Sequence, residues 1–286
     1  MVSIQELGTS TTPTWCPGCG DFGILNALKK SLSDLNLPPE SVCLFNGIGC
    51  SGNSAEWVGT YGFHTLHGRP LPVATGAKLA NHELNVIAVS GDGDGYGIGM
   101  GHFIHAMRRN IDLTYLVFNN GVYGLTTGQA SPTAEKGMAT KSTPHGVIET
   151  PVNPLEIALA AGASFVARGF AGDMIHLSGI IAEAIKHKGF ALVDILQPCV
   201  TYNKINTYQY YLQRVYKLGA DYDPSNKKNA LEKASEWEKT GKIPVGILFR
   251  EERPTYADGL PQIARTPLVK QKISGIDVSK LMEEMV

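Results

Sequence analysis

The residue types best suited to chemistry lie in residues 86–120, where a carboxylate and an amide each follow an apolar run. The run Val86–Val89 leads into Gly91-Asp92-Gly93, and the run Leu113–Phe118 leads into Asn119-Asn120, with 25 residues between the two polar motifs. Carboxylate and amide oxygens are hard donors that suit a Mg²⁺ ion shared with phosphate groups. The glycines beside Asp92 let backbone N–H groups approach such phosphates closely. The pattern favours a Mg²⁺–phosphate site; a Gly-rich turn in an ordinary α/β domain is the alternative.

The elements around these motifs must bring them together. Each apolar run has the length of a buried strand, and the segment between the runs has the character of a helix, which predicts a βαβ unit. Parallel strands joined in this way end at the same edge of a sheet. Open α/β sheets hold their ligands at that edge. The side chains of Asp92 and Asn120 are therefore predicted to lie close together.

Cysteines form a second group with chemical potential, and the chain has five of them. An odd number without a signal peptide argues against a disulfide framework. Cys16 and Cys19 form a CxxC motif, whereas Cys50 and Cys199 each lie just beyond an apolar run. Four thiolates brought together could hold zinc or a [4Fe–4S] cluster, and spacing does not choose between these. Cys43 lies within a predicted strand, where a buried, unreactive thiol is expected.

The remaining chain alternates predicted strands and helices, which indicates an α/β fold with a doubly wound, mostly parallel sheet. Further strands are predicted at residues 42–45, 164–167, 190–196 and 245–249, and helices at 74–80, 157–161, 174–186 and 230–239. Apolar spacing from Phe22 to Leu32 predicts a first helix, with Asp21 as its capping residue. Residues 121–154 show little periodicity, and a loop of that length is expected to be functional. The last 35 residues are predicted to form an extended arm.

Composition limits the classes of partner. The chain is 43% hydrophobic and 18% charged, which is typical of a globular protein with a sizeable core. A net charge of −1 gives no basis for nucleic acid as a partner. No apolar run approaches the roughly 18 residues of a membrane span. The N-terminal residues lack the regions of a signal peptide, so a cytoplasmic protein without a membrane partner is expected.

Several motifs, in their order along the chain, resemble the β subunits of 2-oxoacid:ferredoxin oxidoreductases. They are WCPGCGDFGI, GIGCSG, YGFHTLHGR, GDGDG, NNGVYGLTTGQ-SPT and QPC, and they span about residues 12 to 202. The GDG and NN motifs by themselves resemble thiamine-diphosphate enzymes in general. The resemblance implies a thiamine-diphosphate-binding domain of the diphosphate type over residues 1–202. Residues 203–286 would form a C-terminal extension that packs on this domain or on a partner subunit.

The resemblance also implies site residues by position. Mg²⁺ would be bound by Asp92, Asn120 and the backbone carbonyl of Val122, and a [4Fe–4S] cluster by Cys16, Cys19, Cys50 and Cys199. Contacts to thiamine diphosphate would come from Ile48, Gly49, Cys50, Ser51, His67, Gly93, Asp94, Gly124 and Leu125. His64 and Arg69 are candidates for polar contacts to substrate. Similar 2-oxoglutarate enzymes often carry Lys or Arg three residues after the third cluster cysteine, where this chain has Asn53.

The implied reaction is thiamine-diphosphate-dependent oxidative decarboxylation of a 2-oxoacid, of the 2-oxoglutarate or pyruvate class. Its products are acyl-coenzyme A and CO₂, with electrons passing through the cluster to ferredoxin; the reverse carboxylation is also implied. The chain has room only for the diphosphate domain. An α subunit with the pyrimidine-binding and coenzyme-A-binding domains is therefore expected, and it would supply the activating glutamate of the heterodimer.

Two alternatives are open at this point. A non-oxidative thiamine-dependent decarboxylase subunit would use the four cysteines for structural zinc, or not at all. An iron–sulfur electron-transfer module without thiamine chemistry would leave Asp92 and Asn120 without a role.

Overall fold

The apolar runs lie side by side in one eight-stranded sheet in the computed structural model, which describes residues 2–285. The strands, in chain order, are β1 Val42–Asn46, β2 Tyr61–His64, β3 Asn85–Gly91, β4 Leu113–Asn119, β5 Val122–Tyr123, β6 Gln129–Ala130, β7 Phe165–Phe170, β8 Phe190–Leu196, β9 Val215–Lys217 and β10 Ile243–Arg250. The order across the sheet is β2-β1-β3-β4-β8-β7-β10-β9, and β5 and β6 form a separate hairpin. The first six strands of that order are parallel, and β10 runs antiparallel to β7.

Helices cover both faces of the sheet, which confirms the doubly wound prediction. They are α1 Asp21–Asp34, α2 Pro70–Ala80, α3 Met100–Arg108, α4 Pro154–Ala160, α5 Met174–Lys186, α6 Tyr208–Leu212, α7 Lys227–Ala234, α8 Glu236–Thr240 and α9 Ser279–Glu283. Helices α1 and α5 share one apolar cluster with alternate strand residues such as Leu44 and Ile87. Helices α2, α3, α4 and α7 share the other cluster with the intervening residues, such as Phe45 and Ala88. Strand side chains alternate between the two faces, so both faces of these strands must be apolar.

Three local features differ from the sequence-based expectations. The prediction that Asp21 caps α1 is wrong, because Gly20 is the capping residue and Asp21 is the buried first residue of the helix. The crossover after β3 begins with a π-helical turn, Gly93–Ile98, before α3. The single helix predicted at 230–239 is two helices, α7 and α8, which meet at Ser235.

The edge strand β2 was not predicted, because its four residues are all exposed and lack the apolar character of a buried strand. The long segment 121–154 contains only the hairpin of β5 and β6, yet it is anchored to the fold. Val122 and Met138 belong to a small apolar cluster that also contacts Cys199. The segment therefore packs against the edge where β4 and β8 end. Among residues 2–285, none of the helices is both long and apolar enough to span a bilayer.

Candidate active site

A cavity of about 280 Å³ opens at the carboxyl ends of β1, β3 and β4. Its wall contains every residue that the sequence resemblance assigned to thiamine diphosphate, namely Ile48, Gly49, Cys50, Ser51, His67, Gly93, Asp94, Gly124 and Leu125. Asp92, Asn120 and Val122 line the same cavity. Residues from four separate stretches of sequence thus meet in one place, because parallel strands end at a common edge.

Asp92 is buried at the end of β3, and its two carboxylate oxygens have different surroundings. Oδ2 accepts hydrogen bonds from the Gly121 N–H at 3.1 Å, from Thr133 Oγ1 at 2.5 Å and from Ser131 Oγ. Oδ1 accepts only one long bond, from the Asn120 N–H at 3.4 Å. Burial raises the pKa of Asp92, and the hydroxyl donors of Ser131 and Thr133 oppose that effect. One oxygen is therefore fixed by the protein, while the other is available to a cation.

Asn120 is oriented by a residue that follows β8. Its Nδ2 donates to Gln197 Oε1 at 2.6 Å, and its Oδ1 accepts from the Val122 N–H at 3.0 Å. Gln197 Nε2 in turn donates to Cys19 Sγ at 3.3 Å. Gln197 thereby links a predicted Mg²⁺ ligand to a predicted cluster ligand through a single side chain.

Asp94 organises the opposite wall of the cavity. Its Oδ1 accepts from the Ile48 N–H at 3.0 Å and the Gly68 N–H at 2.7 Å, and it lies 2.7 Å from His67 Nδ1. Its Oδ2 accepts from Ser90 Oγ at 2.6 Å. The carboxylate therefore joins the loop after β1 to the loop after β2. His67 lines the cavity, and the contact of its Nδ1 with Asp94 fixes the orientation of the ring there.

Glycine is required at two positions of the wall. A Cβ atom on Gly93 would overlap the ring of Tyr123, with Cζ only 2.7 Å away, and Tyr123 Oη donates to the Gly93 carbonyl at 3.1 Å. Gly49 has φ of +133°, a conformation that side chains disfavour. Both glycines keep backbone close to the cavity.

The four predicted cluster cysteines are neighbours. The Gly20 N–H donates to the Pro198 carbonyl at 3.2 Å, which holds the CxxC loop beside Cys199. Burial raises the pKa of Cys50 to about 12, and the charges of Asp21, Cys199 and Cys16 add to that rise. Burial also raises the pKa of Cys19, with a smaller contribution from Cys199.

The thiols are not arranged as a finished ligand set, since within residues 2–285 no three His, Cys, Asp or Glu side chains are gathered so as to hold a metal ion. The pKa of Cys43 is likewise raised by burial, to about 11. Its strand position places it in the opposite apolar cluster from Cys19, as expected of an unreactive core thiol.

Among the residues that the structure describes, the three candidates for substrate contact are not part of the cavity wall. His64 is exposed on β2, with its Nε2 3.5 Å from Glu56 Oε1. Arg69 precedes α2, where its charge lowers the pKa of His102 in addition to the burial of that histidine. Asn53 lies in the 3₁₀ turn Ser51–Glu56.

Several residues that form or support the wall were missed by sequence reasoning. Asp21 lines the cavity, and burial raises its pKa to about 7, opposed by a hydrogen bond from Cys19 Sγ at 3.5 Å. Gln197, Ser131 and Thr133 act through hydrogen bonds to Asn120 and Asp92. Their positions in the QPC and SPT motifs were the available signal.

The residues present fit a diphosphate bound through Mg²⁺. Ser51 Oγ and Asp21 Oδ1 are buried polar atoms without a hydrogen-bond partner among residues 2–285. A buried polar atom without a hydrogen-bond partner destabilises the folded protein unless a ligand or water supplies that partner. The Ser51 hydroxyl can donate to a diphosphate and the available oxygen of Asp92 can bind Mg²⁺, whereas Asp21, whose pKa burial raises to about 7, can donate a hydrogen bond only when it is protonated.

Comparison with known proteins agrees with this geometry. Residues 47–195 match the family described as thiamine pyrophosphate enzyme, C-terminal TPP binding domain. Residues 199–265 match the family described as the C terminal of the pyruvate ferredoxin oxidoreductase beta subunit. The fold and the cavity thus define a thiamine-diphosphate-binding domain. The chain is 51% identical over 272 residues to the 2-oxoacid:ferredoxin oxidoreductase subunit beta of Saccharolobus solfataricus, covering 86% of this chain and 88% of that protein.

A second relative, the 2-oxoglutarate synthase subunit KorB of Methanocaldococcus jannaschii, is 38% identical over 254 residues, covering 87% of this chain and 92% of that protein. A solved structure, 2-oxoglutarate:ferredoxin oxidoreductase from Magnetococcus marinus with 2-oxoglutarate, coenzyme A and succinyl-CoA bound, is also similar. It has a TM-score of 0.92 and 38% identity, and the match covers 100% of this chain and 96% of that one.

The chain belongs to the β subunits of the 2-oxoacid:ferredoxin oxidoreductases. The resemblance inferred from the sequence motifs is therefore confirmed, and the protein is a subunit of an oxidoreductase. The relatives support this activity rather than the non-oxidative decarboxylase with structural zinc. An electron-transfer module without thiamine chemistry is excluded by the thiamine-binding family match.

Proposed function

We propose that this chain binds thiamine diphosphate through a Mg²⁺ ion held by Asp92, Asn120 and the Val122 carbonyl, and that it carries a [4Fe–4S] cluster. With an α subunit it would convert a 2-oxoacid and coenzyme A to acyl-coenzyme A and CO₂, or catalyse the reverse carboxylation, with electrons exchanged with ferredoxin. The observation that carries this proposal is the hydrogen-bonded link from Asn120 through Gln197 to Cys19. This link supports a cluster site next to the thiamine diphosphate site, an arrangement that one-electron transfer between them would require.

The Mg²⁺ assignment is supported by the two oxygens that face the cavity. Asp92 Oδ2 is saturated with three donors, so the carboxylate cannot rotate without losing them. Its Oδ1 and the oxygen of Asn120 supply one charged and one neutral ligand, as Mg²⁺ sites that retain water commonly do. The positive ion would also relieve the cost of burying the Asp92 charge.

The cluster assignment is supported by the electrostatics of the thiols. Deprotonation of Cys50 is opposed by burial and by the neighbouring charges of Asp21, Cys199 and Cys16. Bound iron would supply the positive charge that stabilises several thiolates in one place. The hydrogen bond from Gln197 to Cys19 Sγ is of the kind that tunes the potential of such a cluster.

Thiamine diphosphate supplies the carbon nucleophile when bound, and the protein positions it. Asp94 fixes His67 and the backbone of Ile48 around the cavity. Tyr123 closes the wall above Gly93. These groups are already bonded before any ligand arrives, so little reorganisation is required for binding.

An α subunit is needed to complete the site. The acidic residues that line the described part of the wall are Asp21, Asp92 and Asp94, and no glutamate is among them. Leu125 and Ile48 line the cavity while remaining 57% and 41% exposed. Apolar side chains at the mouth of a cavity favour coverage by a partner. We assign to that partner the activating glutamate, the pyrimidine-binding domain and the coenzyme-A-binding domain.

The domain division is also a proposal. We assign residues 1–202 to cofactor binding and residues 203–286 to an extension that contacts this domain or the α subunit. Strand β10 joins the same sheet beside β7, so part of the extension packs on the domain itself. The exposed apolar residues Ile273, Ile276 and Leu281 near the chain end support contact with the partner. The five free thiols suit the reducing cytoplasm.

The experiment that tests this proposal is metal analysis of the αβ complex, purified anaerobically, together with activity. We expect about four irons and four sulfides per β chain, and ferredoxin reduction that requires coenzyme A and either pyruvate or 2-oxoglutarate. Cys199→Ser should lose iron and activity, whereas Cys43→Ala should retain both. Zinc in place of iron and sulfide, or full iron content in the Cys199 variant, would refute the cluster assignment. The ratio of rates with the two acids would establish the substrate.

A further inference from the structure

A second cavity, of about 490 Å³, lies at the same edge of the sheet and has no assigned role. It is lined by Asn119, whereas the next residue, Asn120, lines the first cavity. Successive residues at the end of a strand face opposite sides, so the two cavities lie on opposite faces of the sheet. The outer wall of the second cavity comes from α6, α8 and neighbouring residues.

Arg168 of β7 lines this cavity and is only 3% exposed. Its Nε and Nη1 atoms are buried and lack a hydrogen-bond partner among residues 2–285. The nearest charge is Asp194 Oδ2, which is 4.0 Å from Nε and therefore too distant for a hydrogen bond. Burial lowers the pKa of Arg168, yet a guanidinium remains charged in proteins. An unsatisfied charged donor at this depth is rare unless it has a ligand.

Each acidic side chain of the wall has one carboxylate oxygen that already accepts a hydrogen bond from a neighbouring residue. Asp194 Oδ1 accepts from Tyr96 Oη at 2.9 Å and from Asn119 Nδ2 at 3.0 Å. Glu135 accepts from Asn206 Nδ2 and Tyr210 Oη, each at 2.7 Å. Glu238 accepts from Asn153 Nδ2 at 3.0 Å. By contrast, Nε and Nη1 of Arg168 are buried donors without any hydrogen-bond partner among residues 2–285.

The remaining wall is aromatic and carries a second cation. Trp237 lies beside Arg168, with the guanidinium carbon 5.8 Å from the ring centroid. Arg214 stacks on Tyr210 at 3.9 Å, and both residues line the cavity together with Tyr211. A volume of this size is within the range of small-molecule sites, which are mostly apolar with a few polar anchors.

We propose that this cavity binds a small organic carboxylate with an apolar or aromatic body. The planar guanidinium of Arg168 matches the two oxygens of a carboxylate, and Trp237 and Tyr210 contact the body of the ligand. This site is independent of the function assigned to the first cavity.

The test uses benzoate as a probe, with the full chain in its complex with the α subunit and with thiamine diphosphate and Mg²⁺ present in excess. Equilibrium dialysis of radiolabelled benzoate measures affinity, and benzamide serves as the uncharged control. We expect saturable binding of one benzoate per β chain while thiamine diphosphate is bound at the first cavity. Arg168→Gln should weaken benzoate binding at least tenfold. The affinity of Arg168→Lys should lie between those of the unchanged chain and the Gln variant, because Lys keeps the charge but lacks the planar guanidinium.

Arg168→Gln leaves Asp194 without its nearby cation, so this variant could fail to fold. Arg214→Gln is the second variant, since Arg214 is partly exposed and its loss leaves no buried carboxylate unpaired. It should retain thiamine diphosphate binding and weaken benzoate binding severalfold. Equal affinity for benzamide, unchanged benzoate affinity in both Gln variants, or the absence of saturable binding up to about 10 mM benzoate would overturn the proposal. Displacement of benzoate by inorganic phosphate would reassign the site to a phosphate group.

Discussion

Gln197 provides the sharpest test of the site, because two variants separate its two contacts. Gln197→Leu removes both the acceptor for Asn120 and the donor to Cys19, with little change in side-chain volume. Gln197→Glu keeps an acceptor for Asn120 Nδ2 but cannot donate to Cys19 Sγ. The Leu variant therefore loses both contacts, whereas the Glu variant loses only the contact with Cys19, and their difference reports the contact with Asn120.

The magnitude follows from burial. Asn120 is 8% exposed, so its Nδ2 in the Leu variant would be left without a partner in a dry environment. Leaving such a group unsatisfied costs about 1–3 kcal/mol. Removing the partner that orients a metal ligand typically lowers metal affinity by about 10–100-fold. We therefore expect the Leu variant to bind thiamine diphosphate about 10–100-fold more weakly at fixed Mg²⁺.

The Glu variant should bind thiamine diphosphate with nearly unchanged affinity. It should instead shift the reduction potential of the cluster to a more negative value, because a donor to sulfur is lost and a negative charge is added. Calorimetric titration of the cofactor-free αβ complex measures the affinity, and EPR-monitored redox titration measures the potential. Unchanged affinity in Gln197→Leu would refute the role of Gln197 in orienting Asn120.

Asp92→Asn should abolish Mg²⁺-dependent binding of thiamine diphosphate, because the NH₂ group of the new amide must face either the three hydrogen-bond donors or the metal, and neither accepts it. Titrations of thiamine diphosphate with and without Mg²⁺ measure this. Gly93→Ala should destabilise the chain by about 1–3 kcal/mol through overlap with Tyr123, seen as a lower Tm. Burial, reinforced by the charge of Arg250, lowers the pKa of His187 to about 4 from its usual 6.5. The neutral form is thus favoured by folding, and up to about 2 kcal/mol of stability should be lost as the pH falls from 6.5 towards 4. Tm measured across that range should decline less steeply in His187→Gln.

Each of these three changes has a control or a contrary outcome. Gly101→Ala, at a helical position where a Cβ meets open space, should leave Tm unchanged or slightly higher. An equal loss in Gly93→Ala and Gly101→Ala would show that the ring contact is not the cause. Retained Mg²⁺ dependence in Asp92→Asn would remove Asp92 from the metal site. Parallel pH profiles of the His187 variant and the unchanged chain would show that another group titrates.

Strand and helix placement was largely predictable because the core strands of a parallel sheet are apolar on both faces. The runs beginning at Phe190 and Met174 were predicted with the bounds that the structure has. Strand β2 could not be found in this way, since it lies at the sheet edge with its residues exposed. The capping role of Asp21 was predicted from local spacing, and it failed because Cys19 and the cavity surround this carboxylate.

The sequence by itself determined the class of site. Asp92 and Asn120 follow apolar strands of one βαβ unit, and this local order is sufficient to place them at one edge of a sheet. The order of the cysteine and glycine motifs was sufficient to identify the family.

Only the tertiary structure decided how the parts are connected. Gln197 meets Asn120 and Cys19 across 77 and 178 residues of sequence, and no local pattern encodes such a contact. The same holds for the cavity around Arg168, which forms only because residues from the C-terminal region fold back over β7 and β8. Strand periodicity determines which residues face a given side of the sheet. The neighbours of each buried polar atom depend on how distant segments pack, because hydrogen bonds are completed only in the folded chain.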